Sequence, residues 1–377
     1  MRQISHFVGL SGIGGVQRNF VEYLNTALSH EIRFEHKVYT LGDVDSQYIV
    51  PVEVLDIRKI KNFLKLIKDM ASEDTIVHFY NNLSSIKVAI LLALFPVNKL
   101  IMHERGTIWN QSKKRLLFPS FVVRKSDLIL TNSIATQTML IKKLGVLMSK
   151  TVVLYNGIST TYKKNNFNTR SDNLFCVGFI GRIDSPKGLH VLIEAMRYLE
   201  KDKIKLKVAG DGPLKLHLKE HASDLANVEF LGRINNPYVF MQEIDLLVIP
   251  SIREPLGNVC LEAGLSKTPV LASNVDGLPE IIEDFVSGEL INPTDKVSIK
   301  LFKNAAPIPE FIIDPITQEL KEPRQLNPIT LANRISELSK KPDLLLDYSN
   351  KLNHKVLNFF NVERYTQELH KVYQEMF

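Results

Sequence analysis

Residues 3–20 read QISHFVGLSGIGGVQRNF, and the order of their parts decides the fold expected of the chain. Gln3 to Val8 is strand-like, Gly9 to Gly15 is a glycine loop, and a helix is expected from about Val16 to Ser29. Strand, tight turn and helix in that order open a parallel α/β unit. Gly12, Gly14 and Gly15 stand directly before the helix, where residues without a Cβ let the backbone approach a phosphate or a sugar. Their spacing is not GxGxxG, so a simple tight turn is an equal reading.

The same alternation continues outward from this stretch. Buried-strand runs recur at Glu35 to Thr40, Thr75 to Tyr80, Lys99 to His103 and Leu128 to Thr131, with helical stretches between most of them. A second series follows the polar segment Tyr162 to Asn173, with strands at Leu174–Ile180, Lys205–Ala209, Val228–Leu231, Leu246–Ile249 and Pro269–Ala272. The expected architecture is therefore α/β, with two Rossmann-like doubly wound domains over 1–168 and 169–355. A C-terminal helix, 356–377, is expected to pack back on the first domain. At 377 residues the chain is too long for one ordinary core, which agrees with this division. Prolines at 307, 309, 315, 323 and 328 forbid a continuous helix, so about 304–328 reads as an irregular insertion.

Charge is unevenly spread. The net charge is +6, yet residues 1–165 hold 22 Lys and Arg against 12 Asp and Glu, a balance of +10, and the remainder holds 25 against 29, a balance of −4. One half is thus expected to face an anionic surface. Ile57 to Met70, IRKIKNFLKLIKDM, places Ile57, Ile60, Phe63, Leu64, Ile67 and Met70 at helical spacing and puts Arg58, Lys59, Lys61, Lys65 and Lys68 elsewhere. It reads as a basic amphipathic helix that either packs on the sheet with a solvated basic face or docks on anionic lipid. No basic cluster is interleaved with aromatics or lies in a nucleic-acid motif, so nucleic acid is not an expected partner. There is no apolar run long enough for a bilayer crossing, and the N-terminus reaches glycines before a signal-peptide core develops. A cytoplasmic protein, peripheral at the inner face of the membrane, is the expectation. Two cysteines, Cys176 and Cys260, with no CxxC, speak against a disulfide framework and a structural zinc site.

Chemistry concentrates after the strands of the second series. RIDSPKGL follows FCVGFIG and sets Arg182 and Lys187 across a turn containing Pro186 and Gly188. Two cations there either clamp a diphosphate without a metal or are solvated loop charges. VAGDGPL gives a second strand-end turn at Gly210, and FLGR a third ending in Arg233. In SIREPLGNVCLEAG, Pro255 and Gly257 disfavour helix until about Asn258, which leaves Glu254 in a loop and Glu262 about one turn inside a helix. A helix start with free N–H groups between two carboxylates suits a phosphorylated sugar. Taken alone, the two glutamates would also suit a hydrolase.

In this order the motifs resemble the family-4 retaining glycosyltransferases. The matching residues are GGVQ at 14–17, HERGT at 103–107, NS at 132–133, YNGI at 155–158, GRIDSPKG at 181–188, AGDGP at 209–213, FLGR at 230–233, the EX7E motif EPLGNVCLE at 254–262 and GLPE at 277–280. The resemblance implies the GT-B fold, in which two Rossmann-like domains face a central cleft. It implies that Arg182 and Lys187 neutralise a nucleotide diphosphate, that Glu262 binds the ribose, and that Glu254 holds the donor sugar. Main-chain groups near Gly257, Asn258 and Val259 would complete the cradle, with Gly14 and Gly15 near the phosphates and His103 facing the donor sugar. It further implies a nucleotide sugar, UDP-linked first of all, as donor substrate, no other cofactor and no essential metal. Lys267 and Asp276 stand where the family usually has glycine, and Asp276 puts the donor preference in question. His78 reads as structural, and Trp109 as core or pocket wall.

The expected function is retaining transfer of a hexosyl residue to a glycan or glycolipid acceptor in cell-envelope polysaccharide synthesis, since the chain resembles bacterial lipopolysaccharide, capsule and exopolysaccharide glycosyltransferases. Peripheral contact with an anionic membrane would run through the first domain. The alternatives are a transferase acting on soluble sugars or storage glucan, and a GT-B-like binding or scaffold protein without turnover.

Overall fold

Runs of buried β-branched and aromatic residues build the sheets. The computed structural model describes residues 2–12, 14–30, 34–112, 115–160, 174–299, 302 and 304–377. They form two compact units, one of residues 1–160 with 360–377 and one of residues 161–359. The first unit runs β1 (Gln3–Phe7), α1 (Gly15–Ser29), β2 (Glu35–Thr40), β3 (Val54–Asp56), α2 (Ile60–Met70), β4 (Thr75–Tyr80), α3 (Ile86–Leu94), β5 (Leu100–Glu104), α4 (Leu117–Lys125), β6 (Leu128–Thr131), α5 (Ile134–Leu144) and β7 (Thr151–Val153). Its sheet has the order β3-β2-β1-β4-β5-β6-β7, and every pairing is parallel.

The second unit runs β8 (Phe175–Ile180), α6 (Leu189–Arg197), β9 (Ile204–Ala209), α7 (Lys215–His221), β10 (Val228–Gly232), α8 (Pro237–Gln242), β11 (Leu246–Ile249), α9 (Asn258–Ser266), β12 (Val270–Ser273), α10 (Leu278–Ile281) and β13 (Glu289–Ile291). Its parallel sheet has the order β10-β9-β8-β11-β12-β13. Strand order therefore reverses between β1 and β4 in one unit and between β8 and β11 in the other. Such switch points open a crevice at the carboxyl ends of the strands.

Differences from the sequence expectation fall mainly at edges. β3, β7 and β13 were not expected: each is three residues long and closes one edge of a sheet, where a long apolar run is not required. The basic helix starts at Ile60 rather than Ile57, because the Asp56 carboxylate accepts the main-chain N–H and the Nε–H of Arg58 and holds that segment as a turn. Its apolar stripe is also rotated from the expected one. Leu66 and Met70 are buried, whereas Ile60 is 70% and Leu64 60% exposed.

The insertion contains no helix before its last residue, Pro328, which opens the helix that follows. Four two-residue strands, β14 (Asp295–Lys296), β15 (Ile312–Ile313), β16 (Leu320–Lys321) and β17 (Arg324–Gln325), form two antiparallel ladders, β14 with β17 and β15 with β16. The unit ends with α11 (Pro328–Leu338) and α12 (Pro342–Phe359).

The unit boundaries lie at 160/161 and 359/360, where the sequence had suggested 168 and 355. The terminal helix is likewise two helices. The chain breaks at Phe360–Asn361, and the Asn361 Oδ1 accepts the N–H of Arg364 at 2.7 Å to start α13 (Val362–Met376). α13 packs in the first unit, with the Tyr23 and Tyr365 rings 5.8 Å apart and the Tyr373 hydroxyl 2.7 Å from His78 Nδ1. Beneath it His6, His36, His78, Tyr80 and His103 form a contiguous buried layer from four adjacent strands. Trp109 is core, 1% exposed. Among the described residues no helix is long and apolar enough to cross a membrane.

Candidate active site

The loops that leave β8 and β11 lie side by side at the switch point of the second unit. After β8, the Asp184 side chain accepts the N–H of Ser185 at 2.9 Å and starts a single 3-10 turn, Ser185–Lys187, with Pro186 inside it. The carbonyl of Pro186 accepts the N–H of Ile252 at 2.8 Å and of Arg253 at 3.3 Å, which fastens the loop after β11 to the loop after β8. Lys187 Nζ consequently sits 2.6 Å from Glu254 Oε2, and the Ser251 hydroxyl is 3.2 Å from the same oxygen. Glu254 is buried, and both of these contacts fall on its Oε2.

Arg182 is placed differently. Its Nε donates to Asp184 Oδ2 at 2.9 Å while 66% of the side chain stays exposed, so the stem is tethered and the guanidinium end reaches solvent. Gly210 closes the turn after β9 by donating to the carbonyl of Gly232 at 2.7 Å, and Arg233 is exposed just beyond. There the Gly212 N–H, with Lys215 and Arg233 adding, holds the Asp211 carboxyl below its ordinary range.

Helix α9 begins at Asn258, as Pro255 and Gly257 in the sequence predict. Gly257 precedes it with φ +103°, and no side chain caps it. A Cβ at 257 would lie 2.8 Å from Leu278 Cδ2, so the position requires glycine on both counts. Asn258 and Val259 form the half-buried first turn, and Glu262 stands one turn in, also half-buried. Cys260, buried behind them, has its thiol pushed up by burial and then by Glu254, which leaves it protonated and a poor nucleophile.

The second unit thus brings Lys187, Glu254 and the α9 start together, with Arg182 tethered on the same loop. Sequence reasoning missed Ser251 and Asp184. Asp184 carried a signal, an acid two residues before a proline at a turn start, whereas Ser251 had none beyond its place after a strand.

The remaining expected residues belong to the first unit. Gly14 is the N-cap of α1 and donates to the Tyr48 hydroxyl at 3.2 Å, and Gly15 is the first helical residue. His103 is fully buried at the end of β5, its ring 5.5 Å from those of His78 and Tyr80, and neither of its nitrogens has a partner among the described residues. Burial, then Arg105 and His78, depress its pKa well below the ordinary histidine value.

A cavity of about 600 Å³ lies elsewhere, around Asp69 in the first unit. Asp69 there is already engaged by Ser5 and Tyr39 and lies 3.6 Å from Lys37, and the cavity is not at the carboxyl ends of strands. The switch point of the second unit is therefore the better candidate.

Two doubly wound parallel sheets, one ending in a cation–carboxylate pair beside an uncapped helix, define a GT-B architecture. The structure of HepE from Anabaena in complex with UDP and glucose superposes with a TM-score of 0.77 over 100% of both chains at 20% identity. Residues 161–302 match the family described as Glycosyl transferases group 1. An uncharacterised glycosyltransferase of Methanocaldococcus jannaschii is 36% identical over 167 residues, which span 40% of this chain and 43% of that protein. The O-antigen biosynthesis glycosyltransferase WbnH of Escherichia coli is 27% identical over 318 residues, 80% of this chain and 90% of WbnH.

Proposed function

We propose that the chain moves a hexosyl residue from a nucleotide sugar, UDP-linked first of all, to a glycan or lipid-linked glycan of the cell envelope, with retention at the anomeric carbon and no essential metal. The observation that carries this reading is the Lys187–Glu254 pair at the switch point beside the uncapped start of α9. Lys187 and the free end of Arg182 are cations suited to the diphosphate, and the α9 N-terminus adds main-chain N–H groups. With Oε2 held by Lys187 and Ser251, Glu254 offers Oε1 to the sugar hydroxyls. Glu262 is assigned to the ribose, and Gly210 and Arg233 to the rim of the nucleotide site. The likeness to HepE, bound to UDP and glucose, supports the choice of donor.

In the step proposed, the acceptor oxygen bonds to the anomeric carbon on the face from which the diphosphate leaves. The carbon–oxygen bond to the diphosphate breaks, and the acceptor's proton passes to a phosphate oxygen. Charge grows on the leaving group, so groups already aimed at it contribute most to catalysis. Glu254 orients rather than attacks. Gly14 and Gly15 are assigned to phosphate or acceptor contacts. His103 is assigned to the donor sugar, and its two ring nitrogens hold unspent hydrogen-bonding capacity.

An envelope acceptor is supported by the likeness to WbnH and by the surface of the first unit. Ile60 and Leu64 of α2 lie exposed beside Lys61, Lys65 and Lys68, and α3 exposes Ile86, Ile90 and Leu94 one turn apart. The Phe63 and Phe95 rings, 5.9 Å apart, join the two patches. Aliphatic groups among cations, with no acid on α3, suit an anionic bilayer.

The test is release of nucleoside diphosphate when donor and acceptor are combined, with the anomeric configuration of the product read by NMR. Inversion would defeat the mechanism. Donor binding without release, across a broad acceptor panel, would favour a binding protein.

A further inference from the structure

The insertion that follows β13 grips the candidate site at two points. Asp276 is the first link. It is 2% exposed, its backbone is left-handed at φ +48°, and each carboxylate oxygen takes a main-chain N–H from a different segment. Oδ2 accepts from Glu254 at 2.9 Å, and Oδ1 accepts from Ile313 of β15 at 2.7 Å. The N–H of Asp276 returns to the Ile313 carbonyl at 3.1 Å, and the N–H of Gly277 donates to the Glu254 carbonyl at 3.1 Å. Two hydrogen bonds thus join the hairpin to the 276–277 turn, and two more join that turn to Glu254. The packing is backbone on backbone, since a Cβ at Gly277 would stand 2.2 Å from the Pro255 carbonyl oxygen.

Asp184 is the second link. Its Oδ1 accepts the N–H of Ala306, at the start of the insertion, at 2.7 Å, while its Oδ2 holds Arg182. One segment without helix therefore braces both the loop with the exposed guanidinium and the loop with the buried glutamate. A left-handed backbone is less favourable for aspartate than for glycine. The two charge-assisted hydrogen bonds to its carboxylate offset that cost and fix the side chain in place.

We infer that Asp276 is a positioning residue for sugar recognition, and that residues 304–328 set which donor sugars are accepted by fixing the backbone of Glu254. The inference rests on the proposed nucleotide-sugar reading and assigns the two ends of the insertion separate effects. The Ile313 end governs the sugar through Glu254. The Ala306 end governs the diphosphate through Asp184 and Arg182.

The test uses the full chain and its D276N, D276G, I313P and A306P variants, each checked for a cooperative thermal transition. Binding of UDP alone and of several UDP-hexoses is measured, together with amide hydrogen exchange at Glu254. D276G and I313P should leave the UDP dissociation constant within about twofold while weakening the preferred UDP-hexose about tenfold and flattening the preference among hexoses. D276N, which keeps one acceptor oxygen, should fall between parent and D276G. The Glu254 amide should exchange faster in D276G and I313P, a readout that needs no donor. A306P should weaken UDP and leave the hexose ranking intact. Folded D276G and I313P with parental hexose ranking and affinity would overturn the inference, as would equal loss of UDP and UDP-hexose binding in D276G. A parent chain that binds no nucleotide sugar would overturn the functional reading and this inference together.

Discussion

Lys187 Nζ and Glu254 Oε2 lie 2.6 Å apart although 67 residues separate them in the chain. The contact exists because the Pro186 carbonyl gathers the N–H groups of Ile252 and Arg253, which draws two strand-end loops together at the switch point. The glutamate is thereby oriented before any donor arrives. The lysine, 28% exposed, keeps part of its side chain open to solvent.

Removing the cation should therefore act on the leaving group. Loss of one preorganised group that meets developing charge costs about 2.7–4 kcal/mol, or 10²–10³ in kcat. Lys187→Met is expected to show that loss in nucleoside diphosphate release. Glu254→Gln keeps the size of the side chain and should act more on donor KM. Full turnover in both variants would rule out the assignment.

Gly257 tests the helix start. With φ +103° and Leu278 Cδ2 2.8 Å from a built Cβ, Gly257→Ala must strain the backbone and displace the end of the Leu278 side chain. We expect a loss of about 1–3 kcal/mol in stability, read by urea unfolding of the chain. A rise in donor KM should accompany it. An alanine variant with unchanged stability and KM would show that the tight turn is not needed.

What was legible in the sequence follows from local chemistry. FCVGFI and LLVI could only be buried strands, and Pro255 with Gly257 allowed α9 no earlier start than Asn258. Lys267 and Asp276, flagged as standing where glycine is usual, both have left-handed backbones, φ +56° and +48°. The unseen parts depend on distance. No local pattern announces that Asp276 will meet Ile313, 37 residues away, or that histidines from four strands will share one layer. The stripe of α2 was misplaced because Leu66 reads as an off-stripe residue until β4 is known to lie beneath it.

The surface of the first unit gives a salt-dependent prediction. Each lysine near an anionic bilayer contributes about 1 kcal/mol, so Lys61, Lys65 and Lys68 replaced together by alanine should weaken vesicle binding on the order of 100-fold. Sedimentation with phosphatidylserine-containing vesicles is the measurement, and added salt should release the parent chain. Ile90→Ser with Leu94→Ser should reduce the part of binding that salt does not remove. Equal sedimentation with neutral and anionic vesicles would contradict the assignment.

The buried histidines predict acid lability of the first unit. Burial, the largest cause in each case, holds His36 and His370 down to about 4 and pushes His6, His78 and His103 below the ordinary value. The folded chain thus keeps these rings neutral, while an unfolded chain protonates them near about pH 6.5. Below that value the unfolded state binds more protons, so stability falls as pH falls, by up to about 1.4 kcal/mol per pH unit for each ring. For His36 and His370 the loss is complete near pH 4, where the folded rings also protonate. Above about pH 7 both states are neutral and these groups give no slope. Thermal melting from pH 8 to 4 should therefore be flat at first and then drop from about 6.5. His370→Phe, in a pocket of Tyr23, Phe34 and Tyr373 rings, should make the drop shallower and preserve the melting temperature at pH 8. A parent profile level down to pH 5 would show that the histidine layer admits water and protons while folded.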